Sequence, residues 1–146
     1  MAAAAPVISQ ALKASQHTVT NAAPFTQRAA VRALADPQVA AAERQMAATY
    51  ERRRDLAVGL LEANKPDGIG MIQPQGAFYL FLDVRRLEPS SIKAVDELLE
   101  NYQVSLVPGV AFGPSGEGLV RMTFAASEAD IEEGLKRIFK WAEDKS

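Results

Sequence analysis

Residues 38–64 read as one unbroken helix, and that segment constrains the chain more than any other. It is rich in Ala, Glu, Arg, Leu and Met, all good helix formers. Asp36-Pro37 marks a break or cap before it, and Pro66, Gly68 and Gly70 mark a turn after it. At 1.5 Å per residue the helix is roughly 40 Å long, more than a small domain needs. It is therefore expected to connect two domains. Met46, Tyr50, Ala57, Leu60 and Leu61 can form its buried stripe, leaving Glu43, Arg44, Glu51, Arg52 and Arg54 solvated.

Upstream, residues 7–14 and 25–35 have helical composition. The polar stretch Ser15-Gln16-His17-Thr18-Val19-Thr20-Asn21 between them is expected to be a loop, with Pro24 in the first turn of the next helix. Downstream the pattern changes. Residues 77–84 form a nearly continuous apolar strand, expected to be covered on both faces. Pro89-Ser90-Ser91 caps a helix with Ile92, Val95, Leu99 and Tyr102 on one face. Residues 103–107 read as a short strand, 108–118 as a glycine-rich loop and 119–124 as a strand. Ser127, with Asp130 three residues on, resembles a capping box for a last helix with Ile131, Leu135, Ile138 and Ala142 at helical spacing. The fold class this implies is α/β: an α+β small domain, with a small sheet covered by helices and a long connecting helix before it.

Composition narrows the function. The 146 residues are 48% hydrophobic and 23% charged, enough for a real core. With 16 basic and 18 acidic residues the net charge is −2, so no footprint for nucleic acid or an acidic membrane surface is visible. The absence of cysteine excludes disulfides and thiolate chemistry, and a lone histidine, His17, argues against a zinc site. No metal site is expected. No apolar run approaches the roughly 20 residues of a membrane helix, and the N-terminus lacks the basic flank of a secretory signal. The expected location is the cytoplasm.

Arg121 is the most informative residue. Period two places Val120, Met122 and Phe124 on one strand face, with Leu119, Arg121 and Thr123 on the other. An arginine inside an apolar strand needs a partner, because an unpaired buried charge is expensive. That partner is either Glu117 or another structural acid, or a ligand carboxylate or phosphate held by two parallel hydrogen bonds. The glycines of 108–118 allow close backbone approach but lack the Gly-Lys-Ser/Thr ending of a nucleotide loop, so turn-making is the default. Gln75-Gly76-Ala77-Phe78-Tyr79 is either a turn plus core or a pocket wall. His17 has no nearby acid or nucleophile and reads as a polar loop group.

Four segments, in order, resemble the class I/II aminotransferases, pyridoxal-phosphate enzymes of the aspartate aminotransferase fold (fold type I). Residues 15–24 are similar to the family's Gln-Ser-x-Thr-x-Asn stretch after the large-domain sheet. Pro74-Gln75-Gly76-Ala77-Phe78-Tyr79 is similar to its Pro-x-Gly-Ala-Phe-Tyr motif. Residues 104–113 resemble its Val-x-Val-x-Pro-Gly-x-x-Phe-Gly loop, and 116–125 its Gly-x-x-x-x-Arg-x-x-Phe-Ala strand. The resemblance implies that Arg121 binds the substrate α-carboxylate and that Phe78 lies near the substrate side chain. It implies that Thr20 and Asn21 belong to a loop that, in family dimers, approaches the neighbouring subunit's active site. Residues 1–37 would be the tail end of the large cofactor domain, and 38–146 the C-terminal small domain.

The departure from the family is large. Its Schiff-base lysine lies in a Ser-Lys motif followed by a phosphate-binding arginine, and Lys13, Lys65, Lys93, Lys136, Lys140 and Lys145 have no such context. The aspartate segment that pairs with the pyridine nitrogen is also missing. No catalytic residue is therefore assigned, no covalent pyridoxal phosphate is expected on this chain, and the chain alone is expected to be inactive. The implied partners are an amino acid or 2-oxo acid, the large domain and a homodimer partner. The alternatives are a non-catalytic αβ binding or interaction module, or an inactive fragment.

Overall fold

Residues 2–19 and 21–146 are described by the structure, a computed structural model. Among them the order is α1 (Ala5–Thr18), α2 (Pro24–Ala35), α3 (Pro37–Asn64), β1 (Gly70–Ile72), β2 (Tyr79–Asp83), α4 (Ser91–Tyr102), β3 (Val107–Pro108), β4 (Leu119–Thr123) and α5 (Glu128–Lys145). Two 3-10 turns, Gly109–Phe112 and Pro114–Gly116, lie between β3 and β4. The chain forms two compact units, Met1–Gln45 and Met46–Ser146, and the division falls inside α3.

In the first unit, proline opens both α1 and α2, where its missing N–H would have no helical partner anyway. Helix α1 runs on through Ser15, Gln16, His17 and Thr18, residues expected in a loop. The Thr18 hydroxyl donates to the Ala14 carbonyl at 3.1 Å, so a polar side chain is satisfied without leaving the helix. His17 accordingly sits in a last helical turn. The break at Asp36-Pro37 is as expected: the Asp36 carboxylate accepts from the Gln38 N–H at 2.9 Å and from Arg32 Nε at 3.1 Å. Neither α1 nor α2 has a buried residue.

The second unit is built on a four-stranded antiparallel sheet of order β1-β2-β4-β3. Leu80 and Leu82 of β2 face Met122 and Val120 of β4, and all four are buried. They join one core with Ala57 and Leu61 of α3, Ala94, Val95 and Leu98 of α4, and Ile131, Leu135, Ile138, Trp141 and Ala142 of α5. Each buried aliphatic side chain stabilises the fold by about 1.5–3 kcal/mol before chain entropy is set against it. The other face of β2, with Tyr79, Phe81 and Asp83, is only half-buried. Coverage on both faces, expected from the apolar run, is therefore not what forms: α3, α4 and α5 contribute Ala57, Leu61, Ala94, Val95, Leu98, Ile131, Leu135, Ile138, Trp141 and Ala142 to the one core that holds Leu80 and Leu82.

Several stripes differ from the sequence reading for the same reason. Met46 is 55% exposed, because only the half of α3 from Tyr50 onward meets the core. Arg54 is partly buried, held by Asp55 at 2.7 Å and Glu51 at 3.4 Å. In α4 the buried residues are Ser91, Ala94, Val95 and Leu98, while Ile92 and Leu99 are exposed. The start of that helix is fixed by tertiary contacts: the Ser91 N–H donates to Glu117 Oε1 at 2.6 Å, and Ser90 caps Lys93 N–H. Residues 103–107 contribute less strand than expected. Gln103 ends α4 in the left-handed region at φ 57°, and pairing with β4 starts only at Val107. Strand β1, directly after the Pro/Gly-rich turn, has no signal in the sequence, since three residues are too few for a period to show.

Candidate functional site

The antiparallel register sets one row of residues across all four strands on the half-buried face. Ile72 lies opposite Phe81, Phe81 opposite Arg121, and Arg121 opposite Val107. Arg121 is thus the one charged member of an apolar row. Its guanidinium carbon lies 4.8 Å from the centroid of the Tyr79 ring and 4.8 Å from that of Phe112. Phe81 meets both rings edge-on, at 6.5 Å and 84° with Tyr79 and 5.6 Å and 86° with Phe112. The Arg121 Nε is buried without a hydrogen-bond partner.

Among the described residues Arg121 has no carboxylate partner. Glu117, the structural acid named as one possibility, accepts instead from the Ser91 N–H. That places a carboxylate at the N-terminus of α4, where helix dipole and free N–H groups favour it. Asp83, on the same sheet face, is engaged by Arg85, whose hydrogen bond holds its carboxyl below the usual aspartate range. A guanidinium flanked by aromatic rings and without an acid partner among the described residues retains unused N–H donors, a chemistry that matches a planar anion.

Phe78 is half-exposed and lies at the entrance to β2. Its ring stands 5.7 Å from Tyr79 at 88° and 5.9 Å from Tyr50 of α3. Its carbonyl accepts from Phe124 N–H at 2.9 Å and Thr123 Oγ1 at 3.1 Å, which ties it to the strand bearing Arg121. Ala77 before it has φ 61°, a left-handed conformation uncommon for a residue with a Cβ. Phe78 and Arg121 are therefore brought together through Tyr79. Asn21 is exposed in the turn before α2. Thr20 lies outside the described residues.

The glycine-rich loop packs against itself. A Cβ on Gly109 or on Gly116 would fall inside the backbone of the other. This contact closes the two 3-10 turns and sets Phe112 beside Arg121. The sequence reading missed Tyr79, Phe81 and Phe112 as neighbours of Arg121. Period two already paired Tyr79 with Phe81; no local rule could place Phe112. No cluster of three potential metal ligands occurs among the described residues, and none of their helices is long and apolar enough to cross a membrane.

Residues 1–138 match the family described as aminotransferase class I and II. The chain is 37% identical over 134 residues to an aspartate aminotransferase of Pyrococcus horikoshii, covering 92% of this chain and 34% of that protein. It superimposes on the crystal structure of an aromatic aminotransferase from Pyrococcus horikoshii with TM-score 0.85 and 33% identity, covering 98% of this chain and 38% of that one. A Thermus thermophilus aspartate aminotransferase with maleate gives TM-score 0.78 and 32% identity, over 93% of this chain and 34% of that one. The chain spans about a third of the length of the curated relatives it matches.

Proposed function

The chain belongs to the class I and II aminotransferases, and on that premise we propose that it forms the substrate-carboxylate side of an enzyme that moves an amino group between an amino acid and a 2-oxo acid. In this reading residues 1–37 end the large cofactor domain and 38–146 form the small domain. Arg121 holds the α-carboxylate, Phe78 stands beside the substrate side chain, and Thr20 and Asn21 belong to a loop directed at a dimer partner. The observation that carries it is the guanidinium of Arg121, central in an apolar row and without an acid partner. Two parallel N–H···O bonds would fix the carboxylate in the plane of the guanidinium and so orient the rest of the amino acid.

Pyridoxal phosphate, the family's cofactor, supplies an electron sink when bound. The residues of this chain do not fit it. A cofactor amine must be readily uncharged, and burial with neighbouring cations does that. Lys145 goes the other way: burial works to lower its pKa, but Glu97 and Glu88 outweigh it, and the net shift is upward. None of the six lysines lies on a strand beside Arg121. The Schiff-base lysine and the phosphate site are therefore assigned to residues outside this chain, and the chain alone is inactive.

Titration with maleate, a dicarboxylate, tests the anchor. The expected result is saturable heat that disappears in Arg121→Ala and weakens strongly in Arg121→Lys, which cannot offer a planar fork. Unchanged heat in Arg121→Ala would overturn it. A pyridoxal-phosphate absorbance band abolished by replacing one lysine of this chain would overturn the assignment of that lysine elsewhere.

A further inference from the structure

We propose that Tyr79 and Phe112 are positioning residues for Arg121, two aromatic walls seated on Phe81 that hold the guanidinium in one orientation for its ligand. The inference rests on the reading of Arg121 as a carboxylate anchor and adds the groups through which that anchor is held.

The argument starts from the sheet order. Tyr79 stands on β2 and Phe112 follows β3, and these strands flank β4 on its two sides. The rings therefore reach Arg121 from either side of its strand, at the same 4.8 Å. Phe81, the cross-strand partner of Arg121, is nearly perpendicular to both. Edge-on contact of this kind fixes the angle of an aromatic ring as well as its place. Tyr79 and Phe112, each set against Phe81, thus flank the guanidinium with two ring systems, an arrangement that suits a flat, delocalised cation.

Exposure distinguishes this from ordinary packing. Phe112 is 53% exposed, so most of its surface contributes little to the core. The turn that carries it is nevertheless tightly built. Gly109 and Gly116 exclude any side chain between them, and the Val110 N–H donates to the buried Ser91 Oγ at 3.4 Å. A half-exposed ring on a closely specified turn, placed over a cation, gains most from holding that cation. An arginine side chain fixed before binding loses less freedom when the carboxylate arrives, and partial removal of water strengthens each hydrogen bond it makes.

The test uses the full 146-residue chain and nitrogen-15 NMR of the Arg121 Nε–H, assigned by its loss in Arg121→Lys. Ring currents are expected to shift this resonance upfield of the other arginines. Tyr79→Leu and Phe112→Leu should return it toward them, and Phe112→Tyr should keep it in place. In parallel, maleate affinity should fall about tenfold in Phe112→Leu, equivalent to about 1.4 kcal/mol, and recover in Phe112→Tyr. The urea midpoint of Phe112→Leu should match the unsubstituted chain, which separates positioning from folding. An Nε–H resonance indifferent to both leucine variants would overturn the proposal, as would unchanged maleate affinity in them. Absence of maleate binding in the unsubstituted chain, with the resonance still moving in Phe112→Leu, would sink the anchor reading alone and leave the aromatic bracket supported.

Discussion

The buried Nε of Arg121 has no acceptor, and an unsatisfied buried donor costs about 1–3 kcal/mol. The two aromatic neighbours return about 0.5–2 kcal/mol each, a sum of the same size as that cost. Arg121→Met retains the apolar stem against Tyr79 and Phe112 while removing the orphaned donor. Its urea midpoint is expected to equal or exceed that of the unsubstituted chain, within about 1 kcal/mol. Breaking a buried structural ion pair would instead cost about 3–5 kcal/mol, and a loss of that size would return Arg121 to a structural role. The strand period alone singled out this residue, since a charge in an apolar run is visible without a fold. What it faces was not visible: Glu117 is four residues away in the chain but bonded to the start of α4.

At the scale of elements, α5 is held at its C-terminal end by a mixed cluster. The Trp141 indole donates to Glu97 Oε2 at 3.0 Å, and the Lys145 ammonium bridges Glu97 and Glu88. Trp141→Ala should destabilise the second unit by about 3–5 kcal/mol, as emptying a fully buried indole site does, and chemical denaturation will read it. The Lys145 hydrogen bond lowers the Glu97 pKa below the ordinary glutamate value, with Trp141 adding to it. A carboxyl with a lowered folded-state pKa stabilises the fold above its unfolded value, and the contribution is lost as pH falls through the folded one. Glu97→Gln should therefore flatten the acid limb of the stability profile and leave the neutral region less stable. An acid limb of unchanged slope would show that the pair contributes nothing. In the turns before β4, Gly116→Ala should destabilise by about 1–3 kcal/mol, because its Cβ must push Gly109 aside. A thermal midpoint equal to that of the unsubstituted chain would count against this closure.

Across the whole molecule the two units differ in what stabilises them. The second has one continuous core; in the first, α1 and α2 have no fully buried residue, and Phe25 and Leu34 are 78% and 91% exposed. Helices shorter than about 12–15 residues are marginal without packing. Amides of α1 and α2, 14 and 12 residues long, should exchange with deuterium far faster than those of β4 and α5. Equal protection in both units would refute this. Apolar exposure on this scale also favours association. Chromatographic retention of the chain should depend on its concentration, and a concentration-independent monomer would argue instead for a self-sufficient αβ module.

Sequence alone determined the succession of β2, α4, β4 and α5, the long α3, the capping serines Ser90 and Ser127, and Arg121 as the residue to question. Each of these follows from interactions within a few residues: helical or strand period, a side-chain cap, a proline. The resemblance carried by four motifs likewise reached the family before any contact was known. Tertiary structure decided which face of α4 is buried, how little of residues 103–107 pairs, and that β2 has one covered face. It also decided that Glu117 serves α4 and that Phe112 comes to stand beside Arg121. Those outcomes depend on register between distant strands and on the closure of Gly109 against Gly116, contacts whose partners no local pattern can specify.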